Sequence, residues 1–289
     1  MTDPRALLEL VRAPAALTVP GDVLAGAAAA GRPLRANTAG LAAASVCLYW
    51  SGMALNDYAD RKVDAEERPG RPIPSGRVAP RTAIAVATAL TGAGLALAAV
   101  AGGRRALGAA VPLAATGWAY DLRLKDTSYG PVAMAAARGL DVLMGAGSGA
   151  WRRALPAALT VAGHTYALTT VSRKEVEGAA ASLPAAALAT SVALCLTTAA
   201  STAGDTSRAR RAATTALLGG YLAACLPAQL QAVARPDAAR LQRVVAAGIH
   251  ALVPLQAALT ARSGSPRAVL PLLAAYPLAR RLSRKVSPT

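Results

Sequence analysis

The sequence predicts an all-α membrane protein, a single polytopic domain over residues 1–289 folded as a bundle of about nine transmembrane helices. Three observations predict it. The chain is 54% hydrophobic but only 16% charged, where a soluble domain carries charge on roughly a quarter of its residues. The charges fall in short blocks between apolar stretches of about 17 to 22 residues, each able to cross a hydrocarbon core of roughly 30 Å. Ala and Gly dominate those stretches and Phe is absent, so helix backbones approach closely where lipid gives no hydrophobic drive for association. A soluble globular enzyme is excluded.

The expected spans follow in order. The first, 14–31, starts after Arg12 and closes at Arg32; Met1–Arg12 lacks a signal-peptide core and cleavage site, so this run is expected to stay as a membrane helix. The second, 36–57, ends in Asn56-Asp57. The third and fourth, 82–101 and 105–120, are parted by Gly102-Gly103-Arg104-Arg105. The fifth, 131–149, contains Arg138, and the sixth, 155–172, follows Arg152 and Arg153. The seventh, eighth and ninth run over 183–203, 211–232 and 241–262, with Gly204–Arg211 as a plain connector. A shorter run near 267–279, interrupted by Pro271 and Pro277 and ending in Arg280, Arg281, Arg284 and Lys285, is either a further short span or an interfacial helix.

The formal charge of +16 does not indicate nucleic acid, because the basic residues cap apolar runs and no aromatic platform is interleaved with them. The lipid bilayer is the expected partner. Arg supplies most of the base and Ala most of the apolar bulk, a composition of GC-rich bacterial genomes, which places the chain in a bacterial inner (cytoplasmic) membrane. The loop after the second span holds Arg61, Lys62, Arg68, Arg71, Arg77 and Arg81, against Arg32 and Arg35 after the first and Arg104 and Arg105 after the third. By the positive-inside bias, the loops at about 57–81, 120–131 and 172–183 face the cytoplasm.

Isolated polar residues within spans carry less. Cys47, Cys195 and Cys225 lie far apart and read as core residues. His164 and His250 have no second ligand at helical spacing and read as satisfied core histidines. Gln229, Gln231 and Gln256 are expected to hydrogen-bond between helices. No phosphate loop, dinucleotide fingerprint or Ser-His-Asp order appears.

The informative stretch follows the second span: Asn56-Asp57-Tyr58-Ala59-Asp60-Arg61-Lys62-Val63-Asp64, then Glu66, Glu67 and Arg68-Pro69-Gly70-Arg71-Pro72-Ile73-Pro74-Ser75-Gly76. If the helix runs on, Asn56, Asp60 and Asp64 share one face. Carboxylates at a membrane edge need cations, and Mg2+ joins carboxylate oxygens to phosphate. A salt-bridged helix end is the plainer alternative. It does not account for the ordered Arg-Pro-Gly-Arg-Pro-Ile-Pro-Ser-Gly string.

Residues 56 to 76 resemble the first signature of the UbiA family of intramembrane prenyltransferases, Asn-Asp-x-x-Asp-x-x-x-Asp with an Arg-Pro-x-Pro-Ser-Gly tail. The resemblance implies nine helices around a lateral cavity, and Mg2+-dependent transfer of a prenyl group from an isoprenoid diphosphate donor to a lipophilic acceptor, aromatic or otherwise. It implies that Asn56, Asp57, Asp60 and Asp64 hold metal, that Asp60 and Asp64 are catalytic, and that Arg61, Lys62, Arg68 and Arg71 meet phosphate oxygens.

The loop after the fourth span, Tyr120-Asp121-Leu122-Arg123-Leu124-Lys125, resembles the family's Tyr-x-x-x-x-Lys stretch. It implies a diphosphate contact at Lys125 and an aromatic face toward the cation at Tyr120. As the alternative, Tyr120 and Tyr129 belong to the interfacial belt. Arg138, inside a helix, requires an anionic partner, either Asp141 or the substrate.

After the sixth span, Ser172-Arg173-Lys174-Glu175-Val176-Glu177-Gly178-Ala179 resembles the family's second acidic motif but departs from it. Ser172 and Glu175 stand where the family has two Asp residues, and Ala179 replaces the trailing Asp. That leaves Glu175 as the second-site metal ligand, Glu177 as a replacement carboxylate, and Arg173 and Lys174 as direct diphosphate contacts. The departure keeps a second reading open, a transport or other non-catalytic role for a lipid-like product in the same scaffold. A purely structural membrane protein, the third reading, predicts that replacing Asp60 or Asp64 affects only stability.

Overall fold

The computed structural model describes residues 3–147, 150–202, 207–264, 269, 270 and 272–274. Among them there are helices and connectors but no strands. The chain opens with a short helix, α1 (Pro4–Leu10), capped by Asp3 and started by Pro4. The first expected span is not one helix. A 3-10 turn over Ala13–Thr18 precedes α2 (Pro20–Ala29), because Pro20 lacks the N–H that would continue the earlier turn and serves instead as the first helical residue. At 10 residues α2 is about 15 Å long, half a hydrocarbon core.

The second expected span is longer than its apolar part. Helix α3 (Ala36–Glu67) has 32 residues, about 48 Å, so its last turns rise past the expected edge at 57 and carry the acidic residues. The third and fourth spans form α4 (Pro80–Ala119), which breaks at Gly103 with φ 67° and ψ −163°, a backbone that requires glycine. There the chain doubles back, and Trp118 Nε1 of the second arm donates to Thr91 Oγ1 of the first at 3.0 Å. A π turn (Tyr120–Leu124) follows, closed by Lys125 N–H donating to Tyr120 O at 2.9 Å, where the sequence reads as plain loop.

The remaining helices are α5 (Gly130–Ala146), α6 (Trp151–Ser172), α7 (Ser182–Ala200), α8 (Arg208–Ala234) and α9 (Ala238–Arg262). Residues 148, 149 and 203 of the expected spans lie outside the described residues, as does most of the 267–279 run, whose described residues 269, 270 and 272–274 are helical. Ala36–Glu67, Pro80–Leu124, Ser182–Ala200, Arg208–Ala234 and Ala238–Arg262 are long and apolar enough to cross a membrane. The chain is a multi-pass membrane protein.

Small residues set the packing around α2. A Cβ on Gly26 would stand 1.8 Å from Val142 O of α5, and one on Gly145 would stand 2.2 Å from Val23 O of α2, so these helices touch backbone to backbone. Gly21 instead leaves room for the side chain of Gln256 of α9, whose Oε1 would stand 2.0 Å from an added Cβ. Polar side chains link other pairs: Gln229 of α8 donates to Ser191 Oγ of α7 at 2.9 Å, and Gln256 donates to Asp22 Oδ1 of α2 at 2.7 Å. Gln231, expected to do the same, is exposed. His164 is satisfied on both sides, with Nδ1 3.1 Å from Tyr221 Oη and Nε2 3.0 Å from Gly248 O. Cys225 is buried, and Cys47 and Cys195 are half-buried.

Five connecting segments gather at one end of the bundle. Leu10 and Ala6 of α1 pack with Leu55, Ile73 and Val78, which lays the segment after α3 back over that helix. Ala179 N–H donates to Pro236 O at 3.1 Å beside Gly178, whose φ of 83° makes the turn, and so joins the segments before α7 and before α9.

Candidate active site

Helix α3 ends at Glu67, with the N–H of Arg68 still reaching Asp64 O, because Pro69 disfavours a further helical turn. The chain then coils through Ser75 N–H to Arg71 O at 3.0 Å and turns at Gly76, φ 75°. This return brings Arg71 over the face of α3. Its Nη1 lies 2.8 Å from Asp64 Oδ2 and 3.3 Å from Asp57 Oδ1. Arg12, before the 3-10 turn, donates to Asp57 Oδ1 at 3.1 Å and to Asn56 Oδ1 at 3.5 Å. Asp57, offset by one position from the row, is thus held between two guanidinium groups. Arg68 approaches Asp64 at 4.0 Å.

The π turn faces this row. It presents a half-buried Lys125, which pairs with Asp60, and buries Asp121, whose Oδ1 accepts from Asn56 Nδ2 at 3.3 Å. Arg173, at the end of α6, donates to Lys125 O at 2.5 Å and Asp126 O at 3.4 Å, and so braces the backbone that carries Lys125. Arg12 and Asp121 had no assigned role in the sequence. Arg12 reads as a residue flanking a span and Asp121 as one acid in a mixed loop, and only contacts distant in sequence set them apart.

Other expected contacts lie elsewhere. Arg61 folds back on its own helix, stacking 4.5 Å over the Tyr58 ring and donating to Tyr58 O at 2.8 Å. Lys62 is exposed and makes no ion pair among the described residues. Lys174 pairs with Glu177 at 2.8 Å on the surface, so the carboxylate expected to replace the missing one of the second motif is engaged by its own neighbour. Glu175 is half-buried and faces Arg68; burial raises its carboxyl above the usual range more than Arg68 lowers it. The partner of Arg138 is not Asp141. Arg138 Nε lies 2.9 Å from Asp22 Oδ2, while Asp141 accepts from Ser45 Oγ at 2.6 Å, because α2 crosses α5 at this level.

Some of these groups, Arg12, Asn56, Asp121, Arg138 and Asp141, line a cavity of about 510 Å³, and the other acids and bases of the first motif lie outside its wall. Arg12, Asn56, Tyr120, Asp121 and Ser172 line its polar end, and Leu48, Leu113, Trp118, Leu168, Ile249 and Leu252 line its apolar length. That is the size and mixture of a small-molecule site.

No three His, Cys, Asp or Glu side chains among the described residues stand together as a ready metal cage. The donor chemistry nonetheless fits Mg2+. Asn56, Asp60, Asp64 and Asp121 offer oxygen alone, the preference of a hard cation. Asp121, 5% exposed, has no ion-pair partner among the described residues, and an uncompensated buried carboxylate favours a cation beside it.

Comparison with known proteins agrees with this geometry. A family model described as the UbiA prenyltransferase family matches residues 17–278. The digeranylgeranylglyceryl phosphate synthase of Methanopyrus kandleri is 43% identical over 128 residues, 43% of this chain and 45% of that protein. The chain spans less than half the length of the curated relatives it matches. Among solved structures, a digeranylgeranylglyceryl phosphate synthase has a TM-score of 0.68 at 17% identity, covering 90% of this chain and 98% of that one. A UbiA homologue from Archaeoglobus fulgidus bound to GPP and Mg2+ has a TM-score of 0.56 at 15% identity, covering 88% and 99%. At such identities these structures share the fold.

Proposed function

From the premise that the chain belongs to the UbiA prenyltransferase family, we propose that it transfers a prenyl group from an isoprenoid diphosphate to a lipophilic acceptor within the membrane. One observation carries the reading: Asn56, Asp121 and Arg12 line the polar end of an apolar cavity, and the same face of α3 continues past it through Asp60 and Asp64, which meet Lys125 and Arg71. Asn56, Asp60, Asp64 and Asp121 would hold Mg2+, which supplies Lewis-acid stabilisation of the charge that develops on a departing diphosphate.

The chain's own residues do the rest. Arg71 and Lys125, neutralised by Asp64 and Asp60 in the resting protein, are placed to turn toward phosphate oxygens, as is Arg68. Arg173 acts on Lys125 through the backbone it braces. Tyr120 presents its ring at the cavity mouth, where a cation at the first prenyl carbon would meet it. Leu48, Leu113 and Trp118 hold the prenyl chain away from water. Glu175 is the carboxylate left in the second acidic segment, and Lys62 and Lys174 contribute charge at the entrance. The name of the archaeal relatives supports a glyceryl phosphate among the acceptor classes. The active-site segments lie on the cytoplasmic face by the Lys and Arg count, and a bacterial source rests on composition alone.

The test is diphosphate release by the detergent-purified protein from geranyl, farnesyl and geranylgeranyl diphosphates, with and without Mg2+ and a mixed acceptor extract. Release that needs Mg2+ and disappears in Asp60→Ala/Asp64→Ala supports the enzyme. Absence of both release and Mg2+-dependent donor binding supports transport, which the departures at Ser172 and Ala179 favour.

A further inference from the structure

Midway down the bundle the cavity wall is not hydrocarbon. Ser45 of α3, Arg138 and Asp141 of α5, and Thr18 all line it. Behind them stand Asp22 of α2 and Gln256 of α9, both fully buried. Ser45 Oγ donates to Asp141 Oδ2 at 2.6 Å, Gln256 Nε2 donates to Thr18 O at 2.9 Å and Asp22 Oδ1 at 2.7 Å, and Arg138 lies 2.9 Å from Asp22 without its N–H aimed along that contact. Two buried polar atoms, Asp141 Oδ1 and Gln256 Oε1, are left with neither a hydrogen bond nor an ion pair, while Asp22 Oδ2 and Arg138 Nε answer each other by charge alone. A cluster present only to tie helices together is expected to be satisfied, since each orphaned polar atom costs about 1–3 kcal/mol.

The cluster is also in the wrong place for a prenyl tail. Ser45 lies eleven residues before Asn56 on α3, about 16 Å deeper at 1.5 Å per residue. A purely hydrocarbon occupant reaching that depth would leave these groups dry and unpaired. Two carboxyl groups against one guanidinium disfavour an anion there. A hydroxyl suits it, able to donate to Asp141 and accept from Arg138.

We infer that Ser45, Arg138 and Asp141 form the deep end of the acceptor's subsite, and that the acceptor is an amphiphile with a hydroxyl group distant from its reacting end. The inference deepens the proposed function and rests on it for the word acceptor; the polar deep end rests on the cavity alone.

The test uses the full chain in nanodiscs, titrated with dodecanediol, hydroxylated at both ends, and with dodecanol, hydroxylated at one. Tryptophan fluorescence reports occupancy, Trp118 being in the cavity wall. The diol is expected to bind about tenfold more tightly in the wild type, the fold-change of one hydrogen bond to a charged group, with the preference falling below about twofold in Asp141→Leu and reduced in Ser45→Ala. Should Asp141→Leu not fold, Asp141→Asn, of the same shape, carries the comparison. Equal affinities in the wild type, binding of neither probe, or an undiminished preference in the variants overturns the inference. Neither probe carries phosphate and no Mg2+ is added, so failure here and failure of diphosphate release are separate results.

Discussion

Lys125 closes an ion pair with Asp60 across 65 residues of chain, bringing the π turn down onto the acidic row of α3. Asp60 is 31% exposed and Lys125 15% exposed, so solvent at Asp60 screens the pair and it is worth on the order of 1 kcal/mol to the fold. Its partners are therefore separable from stability. Lys125→Met and Asp60→Asn are each expected to lower diphosphate release by about 100-fold or more while the melting temperature stays within a few degrees of wild type. Parallel release assays and thermal melts check this, and a large loss of stability would falsify the separation.

Asp57 behaves differently. Its buried carboxylate accepts from Arg12 and Arg71, so Asp57→Ala leaves Arg12 without its anion and Arg71 with Asp64 alone, and is expected to cost on the order of 3 kcal/mol. Asp57→Asn, where it folds, should raise the donor KM and leave the Mg2+ concentration for half-maximal rate unchanged. Asp60→Asn should shift that Mg2+ requirement. An equal Mg2+ shift in both variants would make Asp57 a metal ligand rather than an organiser of Arg12 and Arg71.

Gly26 and Gly145 hold α2 against α5. Gly145→Val sets a side chain where Val23 O stands 2.2 Å from the first added carbon, and Gly26→Leu does the same against Val142 O. Each is expected to cost more than the roughly 1–3 kcal/mol typical of overpacking, since backbone must move. Loss of monodisperse protein on size exclusion is the measure. Gly92→Ala, with nothing near the added carbon, serves as the control expected to fold normally.

Glu175 gives a pH dependence of known sign. Its carboxyl is raised above the model-peptide value of 4.5 by burial, so the folded protein holds this proton more tightly than the unfolded chain does. The corresponding stability is present below pH 4.5 and lost as pH rises through the folded value. Glu175→Gln should therefore match wild type in acid and gain slightly at neutral pH. The gain is small because the side chain is half-exposed. If Glu175 binds a second Mg2+, millimolar Mg2+ at neutral pH should stabilise wild type and leave Glu175→Gln unmoved.

Much of this was legible in the chain because hydropathy and helical spacing are local. Each expected span has a helix, Gly103 stands where paired glycines and arginines interrupt the apolar run, and the four-residue spacing of Asn56, Asp60 and Asp64 survives because α3 does continue. The break at Pro20 is written in proline chemistry, although the apolar run around it reads as one span by hydropathy. The π turn at Tyr120–Leu124 has no local signature. Least legible were pairings between distant helices. Arg138 had an acid three residues away, yet the crossing of α2 set Asp22 against it.

The contacts at the loaded end also count crossings. An ion pair or hydrogen bond spans a few ångströms and a hydrocarbon core roughly 30 Å, so two residues that touch share one side of the membrane, and the chain between them crosses an even number of times. Arg12 with Asp57, Asp60 with Lys125, Lys125 with Arg173, and Ala179 with Pro236 each impose that parity. The intervals hold α2 and α3, the two arms of α4, α5 and α6, and α7 and α8 in turn. Among the described helices between Arg12 and Arg262, α9 is the one left unpaired, so Arg12 and Arg262 stand at opposite ends of the bundle. Arg262 accordingly meets Ser201 at the far end of α7, at 2.6 Å. The side-chain contacts thus sort the helix ends into two sets, and they do so without reference to the distribution of Lys and Arg.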